Sequence, residues 1–128
     1  MKRIVLLALL VAAPAQAGET AIDGTWKGSS TCQVKPSPCH DEMVVYRARQ
    51  TGPDSHRIRM YKVVAGHEAF MGEVIGTYSS ETTFRAISTD RRRRPATWTF
   101  AIAGDHMSGK LTLSDGTLFR VIAVDRAK

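Results

Sequence analysis

The sequence of 128 residues lacks the short motifs on which many small enzymes depend. It has no G-x-S-x-G nucleophile motif and no complete G-x-x-x-x-G-K-S/T phosphate loop. It has four histidines, and no two of them stand at the H-x-H or H-x-x-x-H spacing that zinc ligands on one element prefer. These absences predict a protein that is not an enzyme and that holds no metal and no cofactor.

Long hydrophobic runs are also missing, with one exception at the N terminus. Residues 4–13 are apolar, follow a basic start and precede the small-residue pattern A-Q-A. This run is too short for a membrane-spanning helix, which needs roughly 20 residues. The pattern is typical of a secretory signal peptide over residues 1–17, cleaved after Ala17. We therefore expect an exported protein, periplasmic or secreted, that does not span a membrane and whose residues 18–128 form a single domain.

Net charge is concentrated in one segment of the sequence. The chain carries 18 basic and 12 acidic residues, a net charge of +6, and removal of the predicted signal peptide leaves +4. A single run accounts for all of this excess: Arg91, Arg92, Arg93 and Arg94. Nucleic-acid binding needs a distributed basic patch, so no nucleic-acid partner is predicted. The run indicates either a solvated loop or a contact with an anionic surface or an envelope protein.

Cysteine is limited to Cys32 and Cys39. In an exported chain two cysteines usually form one disulfide, and this one would close a short loop that contains two prolines. The next three residues, His40, Asp41 and Glu42, form the densest group of chemically able side chains. We interpret them as a polar turn whose carboxylates accept hydrogen bonds from backbone N–H groups beside the disulfide. The alternatives are contact with a partner protein and a metal site in which His40 and Glu42 are ligands.

Helical periodicity is hard to find after the N-terminal run, whereas short runs rich in β-branched and aromatic residues recur between turn residues. The sequence predicts eight strands, at residues 24–31, 43–50, 56–64, 70–78, 82–88, 96–103, 106–114 and 117–125. An open sheet of eight strands would leave two long edges. We therefore predict an all-β, eight-stranded, up-and-down antiparallel barrel, with a two-sheet β-sandwich as the alternative. The segment 65–69 has room for a single helical turn.

A barrel of eight strands is just wide enough to be filled by side chains or to hold one small ligand. Five large side chains are predicted to line such a site: Tyr46, Met60, Trp98, Phe100 and Leu111. They would provide apolar contact, and the Tyr46 hydroxyl would provide a directional hydrogen bond. We therefore predict a non-catalytic binding protein for a small apolar or amphipathic ligand, which a cavity of about 300 Å³ or more would favour. The alternative is a protein-interaction module, such as an inhibitor of a cell-wall hydrolase.

A G-x-W pattern, Gly24 to Trp26, opens the first predicted strand, and Arg120 lies in the last one. This combination resembles the calycins, the group that includes the lipocalins, the fatty-acid-binding proteins and the avidins. The resemblance implies that Trp26 plugs one end of the barrel and that Arg120 stacks on its indole ring.

The longer pattern G-x-W-x-G, followed by Cys32 and then by C-H-D-E at residues 39–42, resembles a family of small exported bacterial proteins. That family has no established activity. The resemblance therefore implies the architecture and adds no chemistry.

Overall fold

Eight antiparallel β-strands make up the fold in a computed structural model that describes residues 21–89 and 92–128. The strands are β1 Gly24–Cys32, β2 Glu42–Gly52, β3 Ser55–Val64, β4 His67–Tyr78, β5 Thr83–Thr89, β6 Pro95–Ala103, β7 His106–Thr112 and β8 Leu118–Arg126. Each strand pairs with the next along the chain, and β8 pairs with β1, which closes the barrel. The predicted up-and-down barrel is confirmed, and the two-sheet sandwich is excluded.

The predicted signal peptide, residues 1–17, lies outside the residues that the structure describes. Within them, no helix has the length and apolar character needed to cross a membrane.

The turn between β3 and β4 is shorter than the sequence predicted. Because β4 begins at His67, only Ala65 and Gly66 connect the two strands. Both residues have positive φ, 50° and 77°, as the central residues of a type I′ hairpin turn do. Residues 65–69 therefore hold no helical turn, because Gly66 allows this two-residue turn.

Large side chains inside the barrel lie against glycines. A Cβ at Gly28 would overlap the carbonyl oxygen of Ala123, so β1 and β8 approach this closely only with glycine at that position. A Cβ at Gly109 would lie 2.6 Å from the ring of Phe100 on the neighbouring strand. The glycines thus make room for barrel closure and for a bulky core.

One end of the barrel, which we name the closed end, is sealed by the segment just before β1. The indole N–H of Trp26, which is fully buried, donates to the Ile22 carbonyl at 2.8 Å. The Ile22 N–H donates in turn to the Tyr78 hydroxyl oxygen at 2.8 Å. The carboxylate of Asp23 lies 2.8 Å from Nδ1 of the buried His56. Trp26 therefore plugs this end, as the calycin resemblance implied.

The cation over the Trp26 ring is Arg126 rather than Arg120. Its guanidinium carbon lies 4.3 Å from the ring centroid, and it donates to the carbonyls of Asp23 at 2.7 Å and Ala21 at 2.6 Å. Arg120 lies six residues earlier on β8, roughly 20 Å along the strand, toward the opposite end of the barrel. The implied stacking of Arg120 on Trp26 is wrong, because the strand register brings Arg126 to the plug.

Cys32 and Cys39 form the predicted disulfide, with Cα atoms 5.9 Å apart. The bridge lies at the end of the barrel opposite Trp26, which we name the open end. Beside it, the Cys32 N–H donates to Oδ1 of Asp41 at 2.8 Å, and the Cys39 N–H donates to the Ser37 hydroxyl at 3.1 Å. The predicted role of the Asp41 carboxylate as a backbone acceptor is confirmed.

The Cys32→Ser/Cys39→Ser variant is expected to fold, with a free energy of unfolding about 1–3 kcal/mol lower than that of the parent. The effect is modest because the bridged loop is short and its prolines already stiffen the unfolded chain. Urea unfolding followed by circular dichroism measures the difference. A variant that is unfolded in buffer, or one as stable as the oxidised parent, would contradict the prediction.

Candidate functional site

A cavity of about 370 Å³ enters the barrel at the open end, where the β1–β2, β3–β4, β5–β6 and β7–β8 loops lie. All eight strands contribute to its wall: Ser30, Glu42, Tyr46, Met60, Met71, Gly72, Glu73, Val74, Ser88, Thr89, Trp98, Leu111 and Arg120. The volume exceeds the about 300 Å³ at which ligand sites begin. The open end therefore has space for a small molecule.

The wall of this cavity is interrupted between β4 and β5. The two strands pair at only three positions, all near the closed end, whereas β3 and β4 pair at nine. Farther toward the open end, residues 71–74 of β4 and 88–89 of β5 line the cavity without pairing with each other. The cavity therefore reaches the unpaired gap between β4 and β5, which we name the side opening.

Four of the five residues predicted to line a ligand site line this cavity: Tyr46, Met60, Trp98 and Leu111. The indole N–H of Trp98 donates to the Ser88 hydroxyl at 2.9 Å, which fixes the ring at the cavity wall. Trp98 and Leu111, which pair across β6 and β7, form the apolar wall. Met60 adds a further apolar contact from β3.

The fifth predicted residue, Phe100, lies beneath the cavity and does not line it. Its fully buried ring is stacked 6.1 Å from the Trp98 ring and stands edge-on to Tyr46 at 6.2 Å. Phe100 does not line the cavity because it lies two residues deeper than Trp98, where its ring fills the space that Gly109 leaves.

A mostly buried ion pair forms the polar wall. Nη1 of Arg120 donates to the Ser30 hydroxyl at 3.1 Å, and Nη2 lies 3.6 Å from Oε1 of Glu42. The two charged side chains are only 13% and 20% exposed. A separation of 3.6 Å is longer than a hydrogen bond. The guanidinium therefore retains N–H donors that a ligand can use.

Tyr46 adds a neutral donor to the polar wall. Its burial raises the pKa of the hydroxyl well above the usual value, and the Ser30 and Arg120 side chains offset only part of that rise. The phenol therefore stays protonated at neutral pH and presents an O–H group.

The predicted partner-contact residues after the disulfide separate into three environments. His40 is exposed, Asp41 accepts the backbone hydrogen bond of Cys32, and Glu42 faces Arg120 in the cavity. They therefore do not form one surface cluster. Among the residues that the structure describes, no group of three or more His, Cys, Asp and Glu side chains is placed to hold a metal ion.

Arg92, Arg93 and Arg94 are exposed in the β5–β6 loop at the open end. The chain turns there through a positive φ of 60° at Arg93. Arg91 lies outside the described residues. The expected exposed loop is confirmed for the other three arginines, and their contact with an anionic surface stays a prediction.

No protein-family model matches the sequence, and no curated protein matches it significantly. Several solved structures are similar, and they include the following three. A redesigned β-barrel is 14% identical over 88% of this chain and 98% of its own, with a TM-score of 0.64. The redesigned barrel mFAP1, bound to DFHBI, is 16% identical over 83% and 95%, with a TM-score of 0.61. A mutant of the fluorescent protein UnaG is 12% identical over 84% and 97%, with a TM-score of 0.56.

At these identities the similarity shows the fold alone. It is consistent with the closed β-barrel of this chain. The resemblance to a family of small exported bacterial proteins stays a prediction.

Proposed function

We propose that the barrel binds a small amphipathic molecule at its open end, with the apolar part against Trp98 and the polar or anionic end at Arg120. The observation that carries this proposal is the cavity of about 370 Å³ with one apolar and one polar wall. Ligand sites are typically concave and mostly apolar, with a few polar groups that orient the ligand. The complex of mFAP1 with DFHBI supports this use of a similar barrel.

The proposed role is binding rather than catalysis, and the proposed location is the periplasm or the exterior. The Cys32–Cys39 disulfide is compatible with an oxidising compartment. The alternative role as an interaction module, such as an inhibitor of a cell-wall hydrolase, would use the open-end loops with His40 and Arg92–Arg94. No observation favours it over ligand binding, and it stays a prediction.

The pair of Arg120 and Glu42 determines the preference for the polar end of the ligand. An anionic end gains hydrogen bonds from Arg120 but is repelled by Glu42. Both charges are mostly buried, so water screens them only in part. The two residues therefore have opposite effects on the affinity for an anion.

Two fluorescent probes that share an arylamine-naphthalene body test this assignment, the anionic anilinonaphthalene sulfonate and the neutral N-phenylnaphthylamine. The Glu42→Gln variant is expected to bind the anionic probe more tightly than the parent, because the repelling carboxylate is gone. The Arg120→Met/Glu42→Gln variant is expected to bind it roughly three- to tenfold more weakly than Glu42→Gln, because a charged hydrogen bond is lost. Affinity for the neutral probe should change by less than about twofold.

Fluorescence titration gives the dissociation constants, and Lys110→Gln is the matched control. Lys110 is exposed on the outside of the barrel, so its substitution removes one positive charge without touching the cavity. A similar loss of anionic-probe affinity in Lys110→Gln would show that the response reports net charge. A parent protein that binds neither probe saturably would contradict the proposed function.

A further inference from the structure

The outer surface of the barrel differs between its two halves. Seven large apolar side chains are between 37% and 59% exposed. All seven lie on β2–β5: Met43, Val63, Val64, Phe70, Met71, Ile75 and Ile87. Within the described ranges, the half formed by β6, β7, β8 and β1 has none. Single exposed apolar residues are ordinary on a protein surface, whereas a group on one side marks a contact surface.

Four arginines stand on the same half, at outward positions of β2 and β3. The strand register places Arg47 opposite Arg59 and Arg49 opposite Arg57. Like charges directly opposite one another destabilise a sheet. Two glutamates of β4 lie 2.9 Å and 3.8 Å from the nearest of these arginines, which offsets only part of the repulsion. An anionic partner would offset the repulsion that remains.

Aromatic rings hold two of these guanidinium groups. Tyr61 and Phe70 pair across β3 and β4 with ring centroids 5.5 Å apart. The guanidinium of Arg47 lies 5.1 Å from the Tyr61 centroid, and that of Arg59 lies 4.8 Å from the Phe70 centroid. The exposed apolar side chains of β2 and the end of β3 lie nearer the open end than these arginines. Apolar side chains next to cations are the pattern of proteins that bind at a lipid–water interface.

We propose that the outer face of β2–β5 docks on an anionic lipid bilayer. The exposed apolar side chains enter the interface, and the arginines of β2 and β3 contact the lipid headgroups. In this orientation the side opening of the cavity, between β4 and β5, faces the bilayer. The docking is independent of the cavity. The transfer of an amphipathic ligand through the side opening rests on the proposed function.

A bilayer fits this face better than an acidic protein does. The exposed apolar side chains are spread over four neighbouring strands, and they include residues on both sides of the β4–β5 gap, Ile75 and Ile87. Met71 is both exposed and part of the cavity wall, so the apolar surface continues into the cavity. An amphipathic molecule that fits the cavity also partitions into bilayers. A bilayer docked on this face therefore holds such a ligand next to the side opening.

Vesicle flotation tests the docking without any ligand. The exported protein, with its N terminus checked by mass spectrometry, is mixed with phosphatidylcholine vesicles with or without phosphatidylglycerol. It is expected to bind the anionic vesicles at least about tenfold more tightly than the neutral ones and to lose this binding as salt is added. Equal binding to both vesicle types, or none to either, would overturn the proposal.

Variants locate the contact on the barrel. Arg49→Gln/Arg59→Gln is expected to weaken anionic-vesicle binding at least about fivefold, because each arginine near the surface adds attraction to the headgroups. It relieves a like-charge repulsion, so folding is expected to be retained. Lys27→Gln/Lys110→Gln removes the same charge from the other half of the barrel and is expected to have little effect. An equal loss in this control, or a loss only in Arg92→Gln/Arg94→Gln, would overturn the assignment to β2–β5.

The Phe70→Trp variant shows directly whether the side chain at position 70 enters the bilayer. Brominated lipids in the anionic vesicles are expected to quench Phe70→Trp beyond the quenching of the parent, whereas Lys110→Trp is expected to resemble the parent. Quenching at position 110 and not at position 70 would place the wrong half against the bilayer and overturn the proposal.

Two further measurements distinguish membrane docking from ligand binding in the cavity and from docking on an acidic protein. Arg49→Gln/Arg59→Gln should bind anilinonaphthalene sulfonate like the parent in the absence of vesicles, because neither arginine lines the cavity. Vesicle binding that fails while probe binding persists would overturn the docking alone, and the reverse result would overturn the proposed function alone. Binding of soluble polyglutamate without binding of anionic vesicles would overturn the bilayer in favour of an acidic protein.

Discussion

Replacement of Trp26 by alanine is expected to lower the free energy of unfolding by about 3–5 kcal/mol, as the loss of a large core side chain does. Trp26 is fully buried, and its indole N–H donates to the Ile22 carbonyl. Its ring also supports the Arg126 guanidinium at 4.3 Å. The substitution therefore opens a cavity at the closed end and removes the support of a charged side chain. Urea unfolding followed by circular dichroism measures the loss.

The matched control is Trp98→Ala, at the other end of the barrel. Trp98 is half-buried and already borders the open cavity, so its removal enlarges an existing space and is expected to cost less. If both variants lost the same free energy of unfolding, Trp26 would stabilise the barrel no more than Trp98 does, and the prediction would be wrong.

Leu111→Trp is expected to weaken binding of both naphthalene probes at least about tenfold, or about 1.4 kcal/mol. Leu111 is 8% exposed, and the strand register places it between Trp98 and Arg120. A larger side chain there occupies the space between the apolar and polar walls. Because this obstruction does not depend on charge, it affects the anionic and neutral probes alike, unlike the substitutions of Arg120 and Glu42.

Leu113→Trp makes the same replacement at a residue that does not line the cavity. It is expected to leave the affinity for both probes within about twofold of the parent. Circular dichroism confirms that both variants are folded. Unchanged affinity in a folded Leu111→Trp variant would show that the probes bind elsewhere.

The positions of the strands were predictable from the sequence. Most observed boundaries lie within one or two residues of the predicted ones, and the largest difference is the early start of β4 at His67. Runs of β-branched and aromatic residues between turn residues carry this signal locally. Closure was predictable because an open sheet of this length would expose two edges.

Residue pairs across the barrel were less predictable. Arg120 and Arg126 stand at the same phase of β8, so alternation along the strand cannot distinguish them. The register between β1 and β8 determines which arginine lies over the Trp26 ring. That register depends on packing such as the close approach of the two strands at Gly28. The same limit applies to Phe100, whose depth depends on Gly109 in the neighbouring strand.

The position of Glu42 inside the barrel was predictable from the sequence, although it was not predicted. It shares the phase of Val44 and Tyr46 on β2, so extension of that alternation by one step places its carboxylate inside the barrel. The side opening between β4 and β5 had no such signal, because the alternation of each strand is unaffected where their pairing ends. The arginine pairs of β2 and β3 likewise appear only when the two strands are placed in register.

The seal at the closed end connects the two ends of the chain with its middle. Tyr78 lies 56 residues from Ile22, and Arg126 lies 105 residues from Ala21, to whose carbonyl it donates. Contacts so distant in sequence slow folding, because the entropy of closing a long loop is lost before they form. As the chain folds, its successive hairpins can form early, but β1 has no partner for its outer edge until β8 pairs with it. The last nine-residue strand therefore controls when the native state is reached, and a chain that stops before it keeps an unpaired edge open to aggregation.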